Sequence, residues 1–104
     1  MKRIFLLTVL SALFQFQLFS QGTESFTNMP VGTSSSYITR NWTGDGSITW
    51  SATDTRADQT ITGLAAGMRN SAVTSGNITN GIGNLTFKYK YLFTGSNGSL
   101  TVRV

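Results

Sequence analysis

A chain of 104 residues with no cysteine, no histidine and only four acids leaves few chemistries open. Without thiol or imidazole there is no Ser-His-Asp or Cys-His nucleophilic centre, no His-based nuclease centre and no ordinary zinc site in this segment. The net charge of +4 would suit an anionic partner, but Lys2 and Arg3 supply half of it. The remaining bases, Arg40, Arg56, Arg69, Lys88, Lys90 and Arg103, are scattered, so no nucleic acid is expected to bind this segment, because phosphate binding needs a clustered basic patch.

Residues 1–20 read as a signal peptide, and its apolar part is expected to form a signal helix. Lys2 and Arg3 precede an apolar run over 4–13, a mixed apolar and Gln stretch follows, and Ser20, Gln21 and Gly22 supply the small or polar cleavage region. The run is too short for a membrane span, so no membrane partner is expected after cleavage, and the product is secreted or displayed at the cell surface. No cysteine is present to carry a lipid anchor.

Removing 20 of the 104 residues leaves a module over 21–104, 84 residues with a net charge of +2. A chain of that size buries only about 60% of its unfolded surface. Lacking disulfides, it must rely on core burial or on an ion. It is poor in Leu, Ile and Val and rich in Ser, Thr, Gly and Asn, which suits short strands and many turns with aromatics supplying the bulk of the core.

In chain order, residues 24–26 read as a short opening strand, stopped at Asn28-Met29-Pro30 because proline lacks the amide a ladder needs. Residues 32–36 form a loop, and Tyr37, Ile38 and Thr39 begin a strand toward Trp42. Gly44-Asp45-Gly46 reads as a turn, since Asp-Gly suits positions of positive φ. After it Ile48, Trp50 and Ala52 share one side of a period-2 ribbon, and Ser47, Thr49 and Ser51 the other. Asp54, Arg56 and Asp58 recur at every second position and project together if that backbone is extended.

Residues 59–62 and 64–70 predict two short strands around Gly63, with Ala66 and Met68 inward and Arg69 outward. Asn70-Ser71, Ser75-Gly76-Asn77 and Asn80-Gly81 are turn signals. No helical period occurs in the mature chain. The clearest strand covers 85–93, where Leu85, Phe87, Tyr89, Tyr91 and Phe93 alternate with more polar residues. After a turn over 94–99, Leu100, Val102 and Val104 predict a return strand that pairs Phe93 with Leu100, Tyr91 with Val102 and Tyr89 with Val104.

These elements predict an all-β fold, an antiparallel β-sandwich. Its best strand would be only half paired at Val104, leaving an exposed edge. The sequence is therefore expected to be the N-terminal piece of a longer protein with downstream domains, or else a short chain that oligomerises through this edge.

Three segments carry a resemblance: Arg40-Asn41-Trp42-Thr43-Gly44-Asp45-Gly46-Ser47-Ile48-Thr49-Trp50, Asp58-Gln59-Thr60-Ile61-Thr62-Gly63 and Gly81-Ile82-Gly83-Asn84-Leu85-Thr86-Phe87-Lys88-Tyr89. Together they resemble an accessory module of large secreted Bacteroidetes proteins, many of which end in a type IX secretion sorting domain and some of which carry an extracellular endonuclease domain. The resemblance implies a jelly-roll-like sandwich, incomplete here at its C-terminus, with an accessory or adhesive role. It implies no catalytic residues in this segment.

The stretch 40–56 holds both tryptophans, two of the acids and two of the arginines, and is where a site is expected. Trp42 and Tyr37 are candidates for stacking on a sugar ring, with Asp45, Asp54 and Arg56 in the surrounding loops. Of the two tryptophans, Trp50 is expected in the core and Trp42, beside the turn, at the surface. Asp45, Asp54 and Asp58 with neighbouring carbonyls are candidate ligands for a structural calcium ion, although no Asp-x-Asp-x-Asp-Gly loop is present. The same acids make a weaker pair for glycoside hydrolysis, and turn capping or pairing with Arg40 or Arg56 is the simpler role for them.

The functional expectation is a secreted, non-catalytic module that binds or adheres, with a polysaccharide or cell-surface glycan as partner. An accessory domain of a secreted nuclease or other hydrolase, with its catalytic domain downstream, is the alternative. A structural spacer, with both tryptophans buried, is a third.

Overall fold

The computed structural model describes residues 22–94 and 98–104. The expected signal helix and the middle of the 94–99 turn lie outside the described residues. Those that are described form an all-β chain: β1 (Ile38–Thr43), β2 (Thr49–Thr60), β3 (Leu64–Met68) and β4 (Val73–Ser75), with one turn of 3-10 helix at Asp45–Ser47.

Every pairing is antiparallel. β1 lies along one edge of β2, where Trp42 is opposite Trp50 and Arg40 opposite Ala52. The other edge takes β3 and β4 end to end: Thr60 pairs with Leu64 and Thr55 with Met68, then Ala52 with Val73 and Trp50 with Ser75. β3 and β4 thus act as one return strand broken by residues 69–72. β4 has no counterpart in the sequence reading, because a three-residue strand is too short to show a period.

A bulge in β2 decides which side chains reach the core. Asp54 sits at φ 45°, and the register with β1 slips between Ile38 and Arg40. An extra residue in one strand shifts the alternation by one position. The buried residues of β2 therefore change from even to odd, from Ala52 to Thr55 and Ala57.

The inward face packs Trp42, Ala52 and Ala57 with Met29, and Phe26, Trp50, Leu64, Ala66 and Val73 join them. The layer over this face is the irregular segment before β1. Residues 24–26 are not the expected strand: Phe26 lies at φ 61°, and the Met29 amide donates to the Phe26 carbonyl at 3.0 Å to close a turn. The hydrogen bonds of this segment go to side chains instead of a ladder. The Glu24 carboxylate accepts from the Phe26 amide at 2.9 Å, the Asp45 amide at 3.0 Å and Trp42 Nε1 at 3.1 Å.

The largest departure concerns residues 85–93, which form no strand and no ladder with residues 98–104. Lys88 Nζ donates to Thr62 Oγ1 at 3.0 Å, and Leu92 Cδ1 lies 3.1 Å from where a Cβ on Gly67 would stand. The even-numbered side chains thus turn toward the β2–β3 hairpin and the odd-numbered ones outward. Phe87 is 52% exposed, Tyr89 72% and Tyr91 64%, so most of these aromatics are not part of the core. The physical reason is the surface beneath: around Arg56, Asp58 and Thr62 it is polar and offers an aromatic face little to bury against.

Candidate functional site

The β1–β2 turn closes through the Gly44 amide, which donates to the Ile48 carbonyl at 2.8 Å, and the Ser47 amide, which donates to the Gly44 carbonyl at 3.2 Å. Gly46 at φ 71° occupies the position where a Cβ is least tolerated, as its Asp-Gly context predicts. This turn sets Trp42 against Trp50, with ring centroids 6.3 Å apart and planes 12° from parallel.

The expected roles of the two tryptophans are reversed. Trp42 is only 7% exposed, with Phe26 at 5.9 Å and its Nε1 donated to Glu24. Trp50 is half-buried, and its enclosed Nε1 has no partner. The segment before β1 makes this difference, because it contacts β1 and the turn: Asn28 Nδ2 donates to the Thr43 carbonyl at 3.2 Å, and the Ser25 amide to Asp45 Oδ2 at 2.8 Å.

On the opposite, wet face, register brings Asn41 beside Ser51, Thr43 beside Thr49, and Ser51 beside Thr74. These five side chains, flanked by Trp42 and Trp50, line an open groove of about 550 Å3. The groove contains hydroxyls and an amide and no charged side chain.

Further along the sheet lies a charged aromatic cluster. The Arg69 guanidinium stands 4.2 Å from the Tyr37 ring centroid and Arg56 5.5 Å from it, while Arg56 is also 5.3 Å from the Phe93 ring. Arg69 donates to both oxygens of Asp54, at 2.9 and 3.1 Å, and Arg56 to both oxygens of Asp58. Asp54, Arg56 and Asp58 therefore belong to one network, as their spacing suggests.

These pairs shift the titrations. The Arg56 guanidinium holds the Asp58 carboxyl well below the usual carboxylate range, and Asp58, then Tyr37, raises Arg56. Asp54 raises Arg69. Hydrogen bonding from the Ser25 hydroxyl, then its amide, lowers Asp45.

Of the expected site residues, Tyr37, Asp54 and Arg56 come together, while Trp42 and Asp45 meet Glu24 and Ser25 at the turn. The expected calcium set is not assembled. Asp45 is bound to Ser25, Asp54 to Arg69 and Asp58 to Arg56, and no group of three or more metal-ligating side chains gathers among the described residues. The arginines occupy the oxygens that a cation, or a glycosidic acid and base, would need.

Arg40 is the residue whose role the sequence reading missed. It is 2% exposed and pairs with no acid. Its Nε donates to Thr55 O at 2.9 Å, Nη1 to Pro30 O at 2.6 Å and Gly32 O at 3.0 Å, and Nη2 to Thr33 O at 3.0 Å and Ser36 O at 3.2 Å. All five N–H groups are satisfied by carbonyls, which shapes the loop over 30–36 around one side chain. The available signal was its place two residues before Trp42, at an inward position of the strand.

No family model, no curated protein and no solved structure matches this chain.

Proposed function

We propose that this chain is a secreted, non-catalytic β module that binds a polysaccharide or another neutral surface polymer through the groove across β1, β2 and β4. The carrying observation is the row formed by Asn41, Thr43, Thr49, Ser51 and Thr74 beside two tryptophans, uncharged along its length. Hydroxyl and amide groups exchange hydrogen bonds with sugar hydroxyls, and the margin of a half-buried indole covers the apolar face of a ring. The signal-like N-terminus and the resemblance to secreted accessory modules agree with a role outside the cell, and a sandwich completed by further strands fits the same reading.

Retention on immobilised neutral polysaccharides tests the proposal, with Asn41→Ala and Thr74→Ala as groove variants. Both residues are exposed, so folding is spared. The proposal expects at least tenfold weaker retention in each, and retention unchanged in both rejects the groove. A structural spacer is the second reading, favoured by the burial of Trp42. It expects no retention by the unmodified chain on any polymer.

A further inference from the structure

The outward face of residues 85–93 needs a partner. Leu85, Phe87, Tyr89, Tyr91 and Phe93 are each more than half exposed, and Leu100, Val102 and Val104 are 50%, 49% and 98% exposed. The rings of Phe87 and Tyr89 lie 6.3 Å apart, as side chains two residues apart on one side of an extended backbone do. On the other side Lys88 and Leu92 are already engaged with the sheet.

We propose that this face is the contact between two copies of the chain, stacked face to face about a two-fold axis near Tyr89. The reading is independent of the groove. Its first support is area. Aromatic side chains carry 150 to 250 Å2 each, so the exposed apolar surface comes to roughly 700 Å2. That exceeds the largest patch of a typical monomer and approaches the ~800 Å2 per partner of a standard interface.

The second support is the pattern. Around Tyr89 the chain reads alike in both directions, with Lys88 and Lys90 as neighbours, then Phe87 and Tyr91, then Leu85 and Phe93. A two-fold contact requires a surface that complements itself in this way.

The third support is charge. Edge-to-edge pairing centred on Tyr89 would set Lys88 of one copy against Lys90 of the other, and like charges directly opposed are destabilising. Face-to-face stacking, at about 10 Å between backbones, keeps the lysines on the outer sides and in water. The apolar side chains then fill the space between.

Sedimentation equilibrium of the full chain purified after export tests this. A monomer–dimer equilibrium is expected, with its dissociation constant raised at least 100-fold in Tyr89→Lys while the near-ultraviolet signal of the paired tryptophans is unchanged. Because the chain has no cysteine, Tyr89→Cys provides a second measure. A bis-maleimide spanning about 10 Å should join its copies into dimers and leave Thr43→Cys, on the groove, monomeric. A chain that stays monomeric at several hundred micromolar overturns the proposal. So does a dimer indifferent to Tyr89→Lys, or equal cross-linking at the two cysteines. Burial of the face by a different protein would appear as the first of these results.

Discussion

Trp42 and Trp50 oppose each other across the β1–β2 hairpin as a near-parallel pair 6.3 Å apart, yet only Trp42 is sealed from water. The difference comes from neighbours and not from the ladder. Phe26, Met29 and the Glu24 carboxylate close over Trp42, while Trp50 keeps part of its ring open and its Nε1 unpartnered.

The pair should therefore respond unequally to truncation. Trp42→Ala removes a buried aromatic and frees Glu24, at a cost of roughly 3–5 kcal/mol. Trp50→Ala loses a half-buried ring, at about 1–2 kcal/mol. Urea unfolding followed by circular dichroism measures both, and equal losses would contradict the assignment of Trp42 as the anchor.

Arg40 should tolerate no replacement. Arg40→Met strands five carbonyls in the interior and is expected to cost about 3–5 kcal/mol, the range for removing one side of a buried charged interaction. Arg40→Lys keeps the charge but offers three donors from a single atom, so it cannot reach carbonyls spread from Pro30 to Thr55. Its urea midpoint should fall close to that of Arg40→Met; a midpoint matching the unsubstituted chain would show that the charge, and not the five-way geometry, matters.

Gly44 should be restricted by space and Gly46 by backbone angle. A Cβ on Gly44 would run into Glu24 Oε2 and stand 2.8 Å from Trp50 Cδ1, whereas one on Gly46 meets nothing but must adopt φ 71°. Gly44→Ala is expected to cost about 1–3 kcal/mol and, by expelling Glu24 from Trp42 Nε1, to shift the tryptophan emission. Gly46→Ala should cost about 1 kcal/mol with the emission unmoved. A shift in both, or in neither, would remove Glu24 as the clip between the two segments.

Acid should loosen the turn and the Tyr37 cluster. Asp45 and Asp58 both titrate below their ordinary value of 3.8 in the folded chain. A carboxylate depressed by folding stabilises above its unfolded pKa, and that contribution is lost as pH falls through the lower folded value. Thermal midpoints should thus stay level from neutral pH to about 5 and decline below about 4. Asp45→Asn should start lower and decline less steeply; a variant with an unaltered acid slope would show that Asp45 holds nothing.

The strands around the two tight turns were legible because Gly44-Asp45-Gly46 and the Gly63 turn each divide alternating runs, and local backbone preferences settle such elements. Asp54, Arg56 and Asp58 were legible as one group for the same reason. The calcium set was not, since Arg56 and Arg69 reach Asp58 and Asp54 through folding alone. The bulge at Asp54 was invisible too: nothing in Thr53-Asp54-Thr55 announces that the inward position will move by one.

By itself the sequence determined that the chain is β-rich and antiparallel, where its hairpins turn, and that imidazole and thiol chemistry are missing from it. Those properties depend on residue type and on neighbours one to four positions away. Only tertiary structure decided that Trp42 and not Trp50 is covered, that Arg40 gathers the loop over 30–36, and that the aromatics of 85–93 look outward. A period of two tells which side chains share a face, but what comes to rest against that face is set by segments distant in the chain.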